Sequence, residues 1–107
     1  MKEVLVTVKN ADEIVLNKTC QLIDDTIWLD EAHKDKIISL KDRLIIEKRT
    51  DDTKIKIVLD EDAYMHLTYG DKTLEFKVTC DMLKITDQYI EAIYDTGEKI
   101  YLKVDIR

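Results

Sequence analysis

Gly70-Asp71 constrains the fold of this chain more than any other pair of residues. It sits inside the run AYMHLTYGDKTLEFKVTCD, residues 63–81, between two stretches of alternating polar and apolar character. Glycine at the first of two loop positions is the mark of a type II′ hairpin turn, because only glycine takes a positive φ there without strain. A two-residue loop fixes the register, so Tyr69 faces Lys72. Counting outward pairs Leu67 with Leu74, Met65 with Phe76 and Ala63 with Val78 on one face. Thr68 with Thr73, His66 with Glu75 and Tyr64 with Lys77 fall on the other. Turn chemistry and alternation agree, which predicts an antiparallel hairpin with one apolar face directed at a core.

Punctuation elsewhere is sparse. There is no proline, and Gly97 is the only other glycine, so the remaining turns fall to Asp, Asn, Thr and Lys. Glu3–Val8 reads as a first strand with Val4, Val6 and Val8 inward. Glu13–Ile23 is a second, with Ile14, Leu16, Cys20 and Leu22 in phase. Asp24-Asp25 turns it into Thr26–Glu31, setting Leu22 against Ile27 and Cys20 against Leu29. Lys36–Leu40 and Leu44–Arg49 join through residues 41–43, a spacing that pairs Leu40 with Leu44 and Ile38 with Ile46. Lys54–Asp60 follows, with Leu44 facing Leu59, Ile46 facing Ile57 and Glu47 facing Lys56. After the opening hairpin, Met82–Thr86 reads as a bend or short edge segment. Gln88–Tyr94 and Glu98–Arg107 then pair across Asp95-Thr96-Gly97. Their inward rows are Ile90, Ala92 and Tyr94, and Ile100, Leu102, Val104 and Ile106.

No segment keeps a helical period over ten residues. A meander of this length curls, and closure removes its exposed edges. The expected architecture is one all-β domain over residues 1–107, a small closed antiparallel up-and-down barrel of about 8–10 strands, with a β-sandwich as the alternative.

Composition narrows the function classes. The 107 residues carry 45% hydrophobic and 37% charged side chains, as ordered globular proteins do. The net charge of −6 is spread through the strands, and no basic stripe runs along the chain, which argues against nucleic acid as a partner. Neither a signal-type apolar run nor a stretch of about 18 apolar residues occurs, so no membrane partner and a cytoplasmic setting are expected. Cys20 and Cys80 read as inward thiols rather than a disulfide.

Three stretches, EIVLNKTCQLIDDTIWLDEA, IISLKDRLIIEKRTDDTKIKIVLDEDAYMHLTYGDKTLEFKVTCDMLKIT and YIEAIYDTGEKIYLKVDI, resemble the uncharacterised YwiB-like family of calycin-type β-barrels. The likeness lies in strand order, spacing and hairpins and covers most of the chain from about Glu13 onward. It implies a bacterial, lipocalin-like barrel and carries no catalytic motif. This chain is shorter, with tighter loops around the fourth to sixth strands, which favours a filled or nearly filled interior.

Residue chemistry gives no catalytic constellation, so no enzyme and no cofactor are expected. His33 and His66 lie in no HxH, HExxH or CxxC arrangement, which leaves no metal site. Ser39, the one serine, has no elbow glycine beside it. The runs Asp24-Asp25, Asp51-Asp52 and Asp60-Glu61-Asp62 fall at turns, where aspartate serves the backbone. The barrel interior is the remaining candidate. Lys18 and Lys48 fall on the inward phase, where a cation can hold the head group of an apolar or amphipathic small molecule. The bland alternative is that both lie near strand ends and extend into solvent. On the other face, Leu5, Val15, Ile23, Trp28, Ile45, Val58, Ile93 and Tyr101 leave an apolar scatter, and a cluster near Trp28 would serve a homodimer. Two functions follow: a ligand-binding module, or a non-catalytic interaction protein with a filled barrel.

Overall fold

The computed structural model describes residues 2–107. Their strands are β1 (Lys2–Asn10), β2 (Glu13–Ile23), β3 (Thr26–Asp30), β4 (Asp35–Ser39), β5 (Leu44–Arg49), β6 (Thr53–Leu59), β7 (Tyr64–Tyr69), β8 (Lys72–Lys77), β9 (Thr79–Ile85), β10 (Tyr89–Asp95) and β11 (Lys99–Ile106). All eleven belong to one antiparallel sheet in the order β8-β7-β6-β5-β4-β3-β2-β1-β11-β10-β9. β1 pairs with both β2 and β11, so the first and last strands of the chain are neighbours inside that order and not at its edges. β8 and β9 stand at its two limits yet are separated by Val78 alone. Residues 72–85 are thus nearly one extended run, bonded to β7 by its first half and to β10 by its second. The amide of Val78 donates to the carbonyl of Ala63 at 3.2 Å where the run changes partner. The result is a nearly closed all-β barrel.

Local chemistry explains the hairpins that match expectation. β7 and β8 pair as Tyr69 with Lys72, Leu67 with Leu74 and Met65 with Phe76. Gly70 has φ of 62°, and Asp71 is not among the residues of positive φ, as a II′ turn requires. A Cβ at Gly70 would meet nothing within 4 Å, so the glycine is needed for its backbone and not for space. Gly70→Val should therefore cost about 1–2 kcal/mol of purely conformational origin, read as a lower denaturant midpoint with an unchanged slope. The pairs Leu44–Leu59, Ile46–Ile57 and Glu47–Lys56 also stand as expected.

Four expectations are corrected. β4 and β5 pair as Ser39–Leu44, Ile38–Ile45 and Ile37–Ile46, one residue from the predicted register. Leu40 joins a four-residue connection closed by its amide donating to the carbonyl of Arg43 at 2.9 Å. A one-residue slip exchanges the faces, so Ile37 is fully buried and Ile38 points outward. In β2 the register shifts opposite Val8/Lys9: Leu16 pairs with Val8 and Ile14 with Lys9, leaving Val15 bulged. Ile14 is thereby turned out of the core and is exposed. The segment after the opening hairpin is a full strand, β9, in which Cys80 and Met82 pair with Tyr94 and Ile93 around a bulge at Asp81. Finally, β2 and β3 pair only through Gln21–Trp28, Leu22–Ile27 and Ile23–Thr26, so Cys20 and Leu29 are not paired.

The core follows the inward rows of the remaining strands. Val4, Val6, Ile27, Leu44, Leu59, Ile90, Leu102 and Val104 are essentially inaccessible, each removing apolar surface from water. The opening hairpin contributes less than its pattern suggested. Leu74 and Phe76 remain 55% and 42% exposed, because β8 is an edge strand and, among the described residues, this part of its inner face lies outside the core.

Candidate functional site

The short β2–β3 pairing sets the geometry of the site. From Glu13 to Cys20, β2 is bonded on its β1 side, while its β3 side is free of strand partners among the described residues. β3 is also bulged against β4 between Trp28 and Asp30. The two strands splay apart, and a recess of about 420 Å³ opens into the end of the barrel there. Such a volume lies in the lower part of the range of small-molecule sites.

Apolar side chains make the walls: Val8 from β1, Leu16 from β2, Leu29 from β3, Ile37 and Ile46 from β4 and β5, and Leu102 from β11. Lys18, Lys48, Asp30 and Asp35 bring charge to the same recess, and Tyr94 brings a hydroxyl from β10. Sequence phase had singled out Lys18 and Lys48, and both line this one recess. The strand-end reading fits Lys48 but not Lys18, which lies mid-strand opposite Val6. Lys18 reaches solvent because β3 has left its side. Its Nζ spans the gap and donates to the carbonyl of Leu29 at 2.7 Å.

The two aspartates are already occupied. Asp30 accepts from the amides of Ala32 and His33, and its Oδ2 lies 2.9 Å from His33 Nδ1. The His33 hydrogen bond holds the Asp30 carboxyl below its ordinary value and raises that of His33 in return. Asp35 accepts from the amide of Arg49 at 2.9 Å. Lys48, by contrast, makes no ion pair or side-chain hydrogen bond among the described residues.

Tyr94 was read from sequence only as a core residue. It is 6% exposed, and its hydroxyl has no hydrogen-bond partner among the described residues. Among the described residues no side-chain polar atom that is wholly sealed from solvent lacks a partner, so this hydroxyl opens onto the recess. Burial pushes its pKa up to about 12, keeping it a neutral donor at neutral pH.

Other candidates do not assemble. His66 and Glu75 form an outer-face pair at 3.4 Å, as their register predicted. His33 belongs to the 30–35 turn. Cys20 and Cys80 are free, and burial raises both thiols, which lowers their nucleophilicity. Among the described residues no group of three His, Cys, Asp or Glu could hold a metal ion, and no helix is long and apolar enough to cross a membrane.

The fold and recess define a nearly closed antiparallel barrel with a pocket of apolar walls and charged side chains at one end. No family model, curated protein or solved structure matches the chain.

Proposed function

We propose that this protein is a non-catalytic, calycin-like binding module for a small amphipathic anion. The apolar part of the ligand occupies the recess, and its head group meets Lys18, Lys48 and the Tyr94 hydroxyl. One observation carries the reading: the hydroxyl of Tyr94, on a side chain otherwise buried, has no hydrogen-bond partner among the described residues and opens onto a recess with apolar walls that also holds Lys48, which has no ion pair. Water in the recess can satisfy this hydroxyl in the free protein, and a ligand oxygen can take the same place. Hydrogen bonds from charged donors to a carboxylate contribute about 1.5–3 kcal/mol each, enough to select an anionic head over a neutral one. The free thiols fit a reducing, cytoplasmic setting.

Decanoic acid and decanol serve as matched probes. Displacement of a fluorescent anionic reporter should show decanoate binding, weakened about tenfold in Lys18→Gln/Lys48→Gln, with decanol nearly indifferent to the change. Native mass spectrometry of recombinant protein should also find a retained small amphiphile. Absence of decanoate binding, or equal binding by the double variant, would overturn the proposal.

The outer face supports a second reading. Thr26, Ile38, Ile45, Val58 and Tyr64 form one cross-strand row, with exposed Ile23 beside Thr26 and Trp28 in the next row. Val58 is itself buried, but the partly exposed residues around it suit a second copy of the chain, which would make a homodimer near Trp28. Sedimentation of a strict monomer at high concentration would rule it out.

A further inference from the structure

Along the sequence, basic and acidic residues alternate. Across the strands they alternate in the row Lys36–Glu47–Lys56, whereas Arg49 stands opposite Lys54. The outer face of β4–β7, with the turn before β4, forms a groove of about 310 Å³ whose basic side chains are Lys34, Lys36, Arg49, Lys54 and Lys56, with Glu47 as its one acidic residue. The chain as a whole holds 17 basic and 23 acidic residues, so this groove reverses the sign of the molecule locally.

Its acids are spent or placed elsewhere. Glu47 pairs with Lys36 at 3.6 Å, and Glu75, one strand beyond, pairs with His66. Asp51 and Asp52, in the turn between β5 and β6, do not line it. Among the described residues, Lys34, Arg49, Lys54 and Lys56 have no ion pair. Arg49 and Lys54 stand directly opposite each other across β5 and β6. Like charges so placed destabilise a sheet, and a shared anion removes that repulsion. The groove is concave, which keeps several cations within reach of one ligand, and Arg49 offers the planar fork that suits phosphate oxygens.

We propose that this groove binds a multiply phosphorylated anion. Its lining meets that of the recess only at Lys48, which falls on the inward phase, so the two sites are tested apart. Arg49, Lys54 and Lys56 line the groove and not the recess.

Trp28, the only tryptophan, reports on the site, since Lys36 Nζ lies 5.2 Å from its ring centroid. Inorganic tripolyphosphate should bind in calorimetry and change the Trp28 emission, and added salt should weaken it. Arg49→Gln/Lys54→Gln/Lys56→Gln should weaken binding at least about tenfold while melting no lower than the parent, because it removes the opposed charges. Decanoate binding should be unchanged in that variant. A single-stranded oligonucleotide, run in parallel, separates the sources of phosphate. Tighter binding of the oligonucleotide places the phosphates along a nucleic acid strand, and tighter binding of tripolyphosphate places them on a small molecule. Failure of the parent to bind either probe, or undiminished binding by the triple variant, would overturn the proposal.

Discussion

Ile37→Ala should destabilise the barrel by about 2–5 kcal/mol, whereas Ile38→Ala should cost about 1 kcal/mol or less. The two isoleucines are adjacent and chemically identical, so the difference reports the β4–β5 register alone. Ile37 is fully buried in the row Ile27–Ile37–Ile46–Ile57, where truncation leaves a cavity that strands on both sides cannot close. Ile38 is half-buried on the outer face, and losing its side chain there exposes little that was dry. Against the 5–15 kcal/mol typical of such domains the first change is severe, and each kcal/mol should lower Tm by about 4 °C or more. Urea unfolding of both variants decides the matter. Equal costs, or a larger cost at Ile38, would mean that Leu40 faces Leu44 and that the hairpin is the tighter one expected from sequence.

Tyr94 gives the second large effect. Tyr94→Ala should cost about 3–5 kcal/mol, the usual range for emptying a buried aromatic position. Tyr94→Phe should be neutral or slightly stabilising, because the hydroxyl it removes has no protein partner whose loss would count. The same variant should weaken decanoate binding several-fold at neutral pH. A destabilised Tyr94→Phe protein would show that the hydroxyl is held by the protein and would remove the main support for the ligand site.

Tyr94 also sets an alkaline limit. Its folded pKa, raised to about 12 by burial, exceeds the ordinary value of 10.0. Below pH 10 both folded and unfolded tyrosine are protonated, and stability does not depend on this group. Between about pH 10 and 12 the unfolded chain gives up a proton that the folded one keeps, so stability falls as pH rises, on the order of 2–3 kcal/mol in all. Tyr101 acts in the same direction. It donates to Glu91 Oε2 at 2.6 Å, and that hydrogen bond, with a smaller contribution from burial, also raises it to about 12. Denaturant midpoints across this range should fall in the parent and fall less steeply in Tyr94→Phe. Identical slopes would show that Tyr94 ionises freely in the folded protein.

The candidate recess was partly legible beforehand. Phase alone marked Lys18 and Lys48 as inward cations, because alternation assigns a face without knowing the partner strand. That both line one recess depends on where β2 and β3 separate. Tyr94 looked like any other inward aromatic, since nothing local shows that its hydroxyl lacks a partner. The basic groove was hidden for a related reason. Lys34, Lys36, Arg49, Lys54 and Lys56 are interleaved with acids along the chain, and only pairing across β4–β7 brings them to one place.

What the sequence determined by itself is the all-β class and every hairpin whose turn residues and alternation are unambiguous. The run from Tyr64 to Lys77 is the clearest, because Gly70 supplies the one backbone conformation the turn needs and each neighbouring pair follows by counting. Where adjacent residues are both apolar, as at Ile37-Ile38 and Met82-Leu83, alternation loses its phase and a slip or a bulge cannot be read. Tertiary structure alone decided those registers, the β1–β11 closure and the splay between β2 and β3. Each rests on contacts between residues distant in the chain, or on a bulge that no short pattern records. Leu74 and Phe76 show the same division. Their face was fixed locally at the hairpin, but their exposure was set by the place of β8 at the barrel edge, where this part of its inner face lies outside the core.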